Sequence, residues 1–162
     1  METELIPVFA NFGACVFVAQ NLECDIGTLL AAISASKKQA PDHAALEEIF
    51  SNKESESLGG MFHDLKSKEY ITKKEETIFR IAIKQRNHLV HSFLSNNVLK
   101  FSTMNGRHEL ITEIQSIREQ LEAAQAISCS LLDKYLEEYN LSTEKIVEIA
   151  RKTFSCDYDN RQ

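Results

Sequence analysis

The chain of 162 residues is poor in the residues that punctuate a sheet, with five Gly and two Pro. That leaves little turn chemistry for a many-stranded fold and points to an all-α architecture. Four cysteines, Cys15, Cys24, Cys129 and Cys156, lie far apart with no C-x-x-C pair, which argues against a disulfide framework or a thiolate metal knuckle. The first three fall in apolar-periodic stretches, where Cys serves as a small hydrophobe, so a reduced cytoplasmic setting is the simplest expectation. Excess positive charge is also missing. The net charge is −6 and the pI is near 5.4, so no global field draws the protein onto nucleic acid, and contact with a polyanion must be local. The longest apolar stretch, Pro7 to Ala19, has about 13 residues where a membrane span needs roughly 20. It follows Glu2 and Glu4 rather than a basic segment, and no small-residue cleavage site follows it, unlike a secretory signal.

What is present is helical periodicity. With 43% hydrophobic and 26% charged residues, the chain suits a single domain over 1–162 with one real core. A first helix is predicted from about Glu4 to Ala35, with Thr3 as N-cap and an apolar line through Phe9, Phe12, Val16, Ala19, Ile26, Leu30 and Ile33. Gly13 on that helix suggests a close helix–helix approach. Pro41-Asp42 opens a short helix at 44–51, and Ser57 caps another near 58–69. Thr72 and Glu75 form a capping box that starts a long helix at Lys73. After Leu94 the pattern fades; Val98 to Phe101 reads as extended and Met104-Asn105-Gly106 as a turn. A long helix at about 107–139 carries Leu110, Ile114, Ile117, Leu121, Ala124, Leu131 and Tyr135 on one stripe. Asn140 ends it, Ser142 caps a short helix at 143–154, and the tail beyond Cys156 is polar. The expected fold is an up-and-down bundle of three long helices plus two or three short ones.

Two charges interrupt the apolar lines. Phe79, Ala82, Leu89 and Phe93 leave position 86 as the missing member of their three/four spacing, and it is Arg. Val16, Ala19, Ile26 and Leu30 leave position 23, and it is Glu. One reading is a buried Glu23–Arg86 ion pair that fixes helix register, a poor net stabiliser because of desolvation. The other places Arg86 in a cleft or interface as a phosphate contact held by Glu23. His91 follows five residues after Arg86, about 140° further round the helix at 100° per residue, so the two converge only if the helix ends there or a second chain contributes. His88 lies still further round, on the expected solvent face. A His near a helix C-terminus is also a favourable charge–dipole placement in its own right. Next to a seam Arg and the amide of Asn87, His91 completes an inventory of phosphate clamp, acid/base group and neutral orienter, which suits RNA cleavage without a metal.

The run Arg86-Asn87-His88-Leu89-Val90-His91 resembles the Arg-x4–6-His signature of HEPN domains (higher eukaryotes and prokaryotes nucleotide-binding), in which Asn often follows the Arg. Phe12-Gly13, Ala19-Gln20-Asn21-Leu22-Glu23, Ser57-Leu58-Gly59 and Asn105-Gly106-Arg107 extend the resemblance over most of the chain. The resemblance implies a helical homodimer whose paired motifs form a metal-independent endoribonuclease, often a toxin or phage-defence effector. Arg86 would then contact the scissile phosphate, His91 would be the acid/base group, and Asn87 would hold the geometry with Glu23 in support. No cofactor is implied, RNA is the substrate, and an antitoxin or regulatory protein is a possible partner. HEPN toxins controlled by a nucleotidyltransferase often carry Tyr two residues after the His; here that position is Phe93, which speaks against this mode of control.

Other signals point elsewhere. His88 and His91, with His63 and Asp64, contain some metal ligands but lack the usual i, i+4 pair with a carboxylate. Gly59-Gly60 lacks the spacing of a phosphate loop. Lys66, Lys68, Lys73 and Lys74 read as a solvated helix end or as a basic patch for an RNA backbone. The acidic charge favours a different class altogether, a non-catalytic helical dimerisation or regulatory module, and a nucleotide-binding sensor is a third.

Overall fold

The computed structural model describes residues 5–37, 57–67 and 70–138, and among these there are helices and no strand. In chain order the helices are α1 (Ile6–Lys37), α2 (Leu58–Ser67), α3 (Lys73–His91), the single turn α4 (Phe93–Asn96), a 3-10 turn (Val98–Ser102) and α5 (Met104–Glu138). The protein is an all-α bundle in which the two longest helices, α1 and α5, pack together. The predicted short helices at 44–51 and 143–154, the Thr3 cap, and the stops at Asn140 and beyond lie outside the described residues. No described helix is long and apolar enough to cross a membrane.

The chain divides into two compact units. The first joins the N-terminal segment through Glu23 to residues 71–126. Its core is built from Val8, Cys15, Val18, Ala19 and Leu22 of α1, Phe79, Ala82 and Leu89 of α3, Phe93 of α4, and Leu110, Ile114, Ile117, Leu121 and Ala124 of α5. Phe12 packs against Phe93 with ring centroids 5.7 Å apart, and Phe9 stacks on Phe101 at 5.9 Å. The second unit joins Cys24–Tyr70 to the chain from Ile127 onward. Ile26, Leu29, Leu30 and Ile33 are buried there, with Leu58, Met61, Phe62 and Leu65 of α2 and Leu136 of α5.

The α3 stripe and the first part of the α5 stripe fall as their periodicity predicts, with Leu110, Ile114, Ile117, Leu121 and Ala124 all buried, whereas Leu131 and Tyr135 are only half-buried and Ser128 and Leu136 take the buried positions. The α1 line holds only in its second half, where Ala19, Ile26, Leu30 and Ile33 are buried; in the first half Val8 and Cys15, seven residues apart, are buried in place of Phe9 and Val16, one position off the predicted line, and Leu22 and Leu29 join the buried face. Phe9 is 52% exposed, and Glu23 therefore flanks the buried line beside Leu22 instead of interrupting it. Gly13 makes no close approach either, since a Cβ there would meet nothing within 4 Å.

The segment between α3 and α5 is coiled, not extended. Asn97 is buried and donates from Nδ2 to the Phe93 carbonyl (3.0 Å), while Lys100 N donates to the Asn97 carbonyl (2.9 Å). Buried Arg107 reaches back to the Phe101 carbonyl at 3.0 Å. Met104-Asn105-Gly106 is the first turn of α5, capped by Thr103, whose Oγ1 accepts from Gly106 N at 3.0 Å. Gly106 is required here, because a Cβ would collide with the Lys100 carbonyl and lie 2.7 Å from its Cα.

Candidate functional site

The site is assembled on α3. Its start is fixed by the capping box: Thr72 Oγ1 accepts from Glu75 N (3.3 Å), and the Glu75 carboxylate accepts from Thr72 N (2.7 Å). Its end is fixed at Ser92, whose N–H donates to the His88 carbonyl at 3.0 Å and whose φ of −137° leaves the helical range before α4 resumes it. The motif from Arg86 to His91 thus occupies the last two turns of a helix held at both ends. Phe79, Ala82 and Leu89 bury one face of it.

Arg86 and Glu23 meet. Arg86 Nη2 lies 2.5 Å from Glu23 Oε1, and the two side chains are 24% and 27% exposed. Neither description from sequence holds in full: the pair is formed, yet it sits at the edge of the core with a quarter of each side chain still reachable by solvent. Arg86 also donates from Nη1 to Asn87 Oδ1 at 3.3 Å. Glu23, Arg86 and Asn87 therefore form one connected group, in which a carboxylate and an amide aim the guanidinium.

His91 is not part of that group. It is exposed and forms no hydrogen bond or ion pair with any described residue. Its position on α3 is about 140° from Arg86, as the helical repeat requires, and the break at Ser92 comes one residue too late to close the angle. Asn87, also exposed, lies between them around the helix.

His88 corrects an expectation. Predicted on the solvent face, it is half-buried: Nδ1 lies 3.0 Å from Ser92 Oγ, Nε2 lies 3.4 Å from Glu113 Oε1, and its ring packs edge-on against Phe93. Glu113 also receives Lys100 Nζ at 3.3 Å. A network of Lys100, Glu113, His88 and Ser92 thereby locks the C-terminal end of α3, and with it the direction in which His91 emerges. Nothing local to α3 signals this, because Glu113 comes from α5 and Lys100 from the intervening turn.

Phe93, two residues after His91, is fully buried. A side chain at that position points into the core and is closed to any modifying enzyme. His63 and Asp64 belong to α2 in the second unit. Among the described residues, no group of three or more His, Cys, Asp or Glu gathers in metal-binding geometry. Comparison with family models, with curated proteins and with solved structures finds no match to this chain.

Proposed function

We propose that the chain is a metal-independent endoribonuclease of HEPN type, acting as a homodimer in which Arg86 of one copy works with His91 of the other. The observation that carries the proposal is the split state of the motif. Arg86 is aimed by Glu23 and Asn87 while remaining a quarter exposed, and His91 stands exposed and unengaged around the same helix. A second α3 related by a two-fold axis brings the complementary members together, which one straight helix cannot do. In that cleft the guanidinium binds the non-bridging phosphate oxygens and stabilises their charge in the transition state. The ribose 2′-oxygen forms a bond to phosphorus and loses its proton to a general base, and the bond from phosphorus to the 5′-oxygen breaks as that oxygen gains a proton. Imidazole chemistry suits either transfer. The products are a 2′,3′-cyclic phosphate and a 5′-hydroxyl.

Mixing two inactive variants tests this. Arg86→Ala and His91→Ala should each abolish cleavage of single-stranded RNA in the presence of a chelator. After subunit exchange, a heterodimer retains one intact Arg86–His91 pair, so a random mixture should recover about a quarter of wild-type activity (half the dimers, one site of two). Recovery of nothing sinks the composite site. Wild type that leaves RNA intact sinks the enzyme reading and favours a non-catalytic dimerisation module, to which the net charge of −6 already lends support.

A further inference from the structure

Residues 73, 77, 80, 84, 87 and 91 repeat at four and three along α3, so they fall within about 80° of one another around the helix and form one straight line. They are Lys73, Thr77, Arg80, Lys84, Asn87 and His91, and every one is exposed. The line runs roughly 27 Å at 1.5 Å per residue. It contains no acidic residue, in a chain whose net charge is −6. Lys73 and Lys84 form no ion pair with any described residue. Arg80 is held by Glu76, which accepts from its Nε (2.9 Å) and Nη2 (2.6 Å), and this fixes the guanidinium against the helix surface. The other lysine in that first turn, Lys74, is exposed but faces about 100° away from Lys73, which lies at the middle of the line's angular range.

We infer that this line is the track for the phosphodiester backbone of a single RNA strand, leading it along α3 to Asn87 and His91. The inference deepens the ribonuclease reading and rests on it. A row of cations without an aromatic platform contacts phosphates and leaves the bases unread, so it supplies affinity without sequence preference. It also reconciles an acidic protein with a polyanionic substrate: the attraction is confined to one helix face, and the rest of the surface repels misplaced strands.

The probe is a fluorescein-labelled, 2′-O-methylated oligoribonucleotide of about 12 nucleotides, within single-strand site sizes, which binds without being cut. Anisotropy titrations between about 50 and 200 mM salt give the slope of log K against log salt, about −0.7 per phosphate neutralised on a single strand. Three cations predict a slope near −2.1, so the fourfold rise in salt weakens wild-type binding roughly 18-fold. Lys73→Ala, Arg80→Ala and Lys84→Ala should each bring the slope to about −1.4 and the loss to roughly sevenfold, whereas Lys74→Ala should leave the wild-type slope. Unchanged slopes in the three variants, or an equal change in Lys74→Ala, overturn the track. Cleavage of ordinary RNA, measured in parallel, separates the two ideas. A chain that binds through the line but does not cut keeps the track and loses the enzyme, and one that cuts with stripe-independent KM keeps the enzyme and loses the track.

Discussion

The Glu23–Arg86 pair joins α1 to α3, and a double-mutant cycle measures what it does. The nearest atoms are 2.5 Å apart and each side chain is about a quarter exposed. Two charges with centres about 4 Å apart at an effective dielectric near 20 attract by about 4 kcal/mol. Desolvation returns much of this: exposed pairs keep under about 1 kcal/mol, while orphaning a fully buried partner costs about 3–5 kcal/mol. An edge-of-core pair falls between, so the coupling should be about 1–2 kcal/mol. Glu23→Gln, Arg86→Gln and the double variant, unfolded in urea and followed by helical circular dichroism, supply the four corners. Each single variant should lose about 2 kcal/mol, or roughly 4–8 °C in Tm at 2–4 °C per kcal/mol for a chain of this size. The double variant should lose less than their sum by the coupling. A coupling within about 0.5 kcal/mol of zero is ordinary additivity and would refute the claim that this contact ties α1 to α3.

Gly106→Ala should destabilise by about 1–3 kcal/mol through overpacking against the Lys100 backbone; an unchanged Tm would show that the turn before α5 yields freely. Burial pushes the Cys15 thiol up to about 11, with Arg118 opposing and Glu122 adding to the rise. The folded state then holds a proton that the unfolded chain has released, so stability should fall as pH climbs from about 9 to about 11, by at most about 2.7 kcal/mol. Cys15→Ala should flatten that decline in urea midpoints, and an identical decline in the variant would rule out this thiol as its source.

The helical class, the α3 face and the first part of the α5 face were legible because each helix has one apolar line and polar residues elsewhere. α1 was not, because its first half is apolar nearly all round: Phe9, Phe12 and Val16 compete with Val8, Cys15 and Leu22 for the core, and only the partners on α3, α4 and α5 decide between them. Aromatic Phe9 and Phe12 end on the flank, where they meet Phe101 and Phe93. The opposite charges at 23 and 86 were a sound sign of contact even though the register of Glu23 was read one position off. His88 was misplaced for a different reason. A helical wheel sees one helix, and the carboxylate that draws His88 inward comes from Glu113, 25 residues on. Thr103 was the recoverable miss, a hydroxyl three residues before Gly106 with the ordinary spacing of an N-cap.

Helix α3 sorts its side chains by angle into a buried face and an exposed line. Phe79, Ala82 and Leu89 bury; Arg86 falls at an angle between Phe79 and Ala82, on that same face, and pairs with Glu23 while staying a quarter exposed; Lys73 through His91 form the exposed line. The consequence for mutagenesis is unequal. Removing Arg86 leaves a half-buried carboxylate without its partner and loosens the approach of α1, so loss of cleavage in Arg86→Ala would speak for disturbed packing as readily as for a missing phosphate contact. His91 carries no such debt: it is exposed, touches no described polar group, and its removal leaves the capping at Ser92 and the Lys100–Glu113–His88 network in place. A His91→Ala protein with wild-type urea midpoint and no ribonuclease activity is therefore the decisive result. The same protein with full activity would move the chemistry off this helix end.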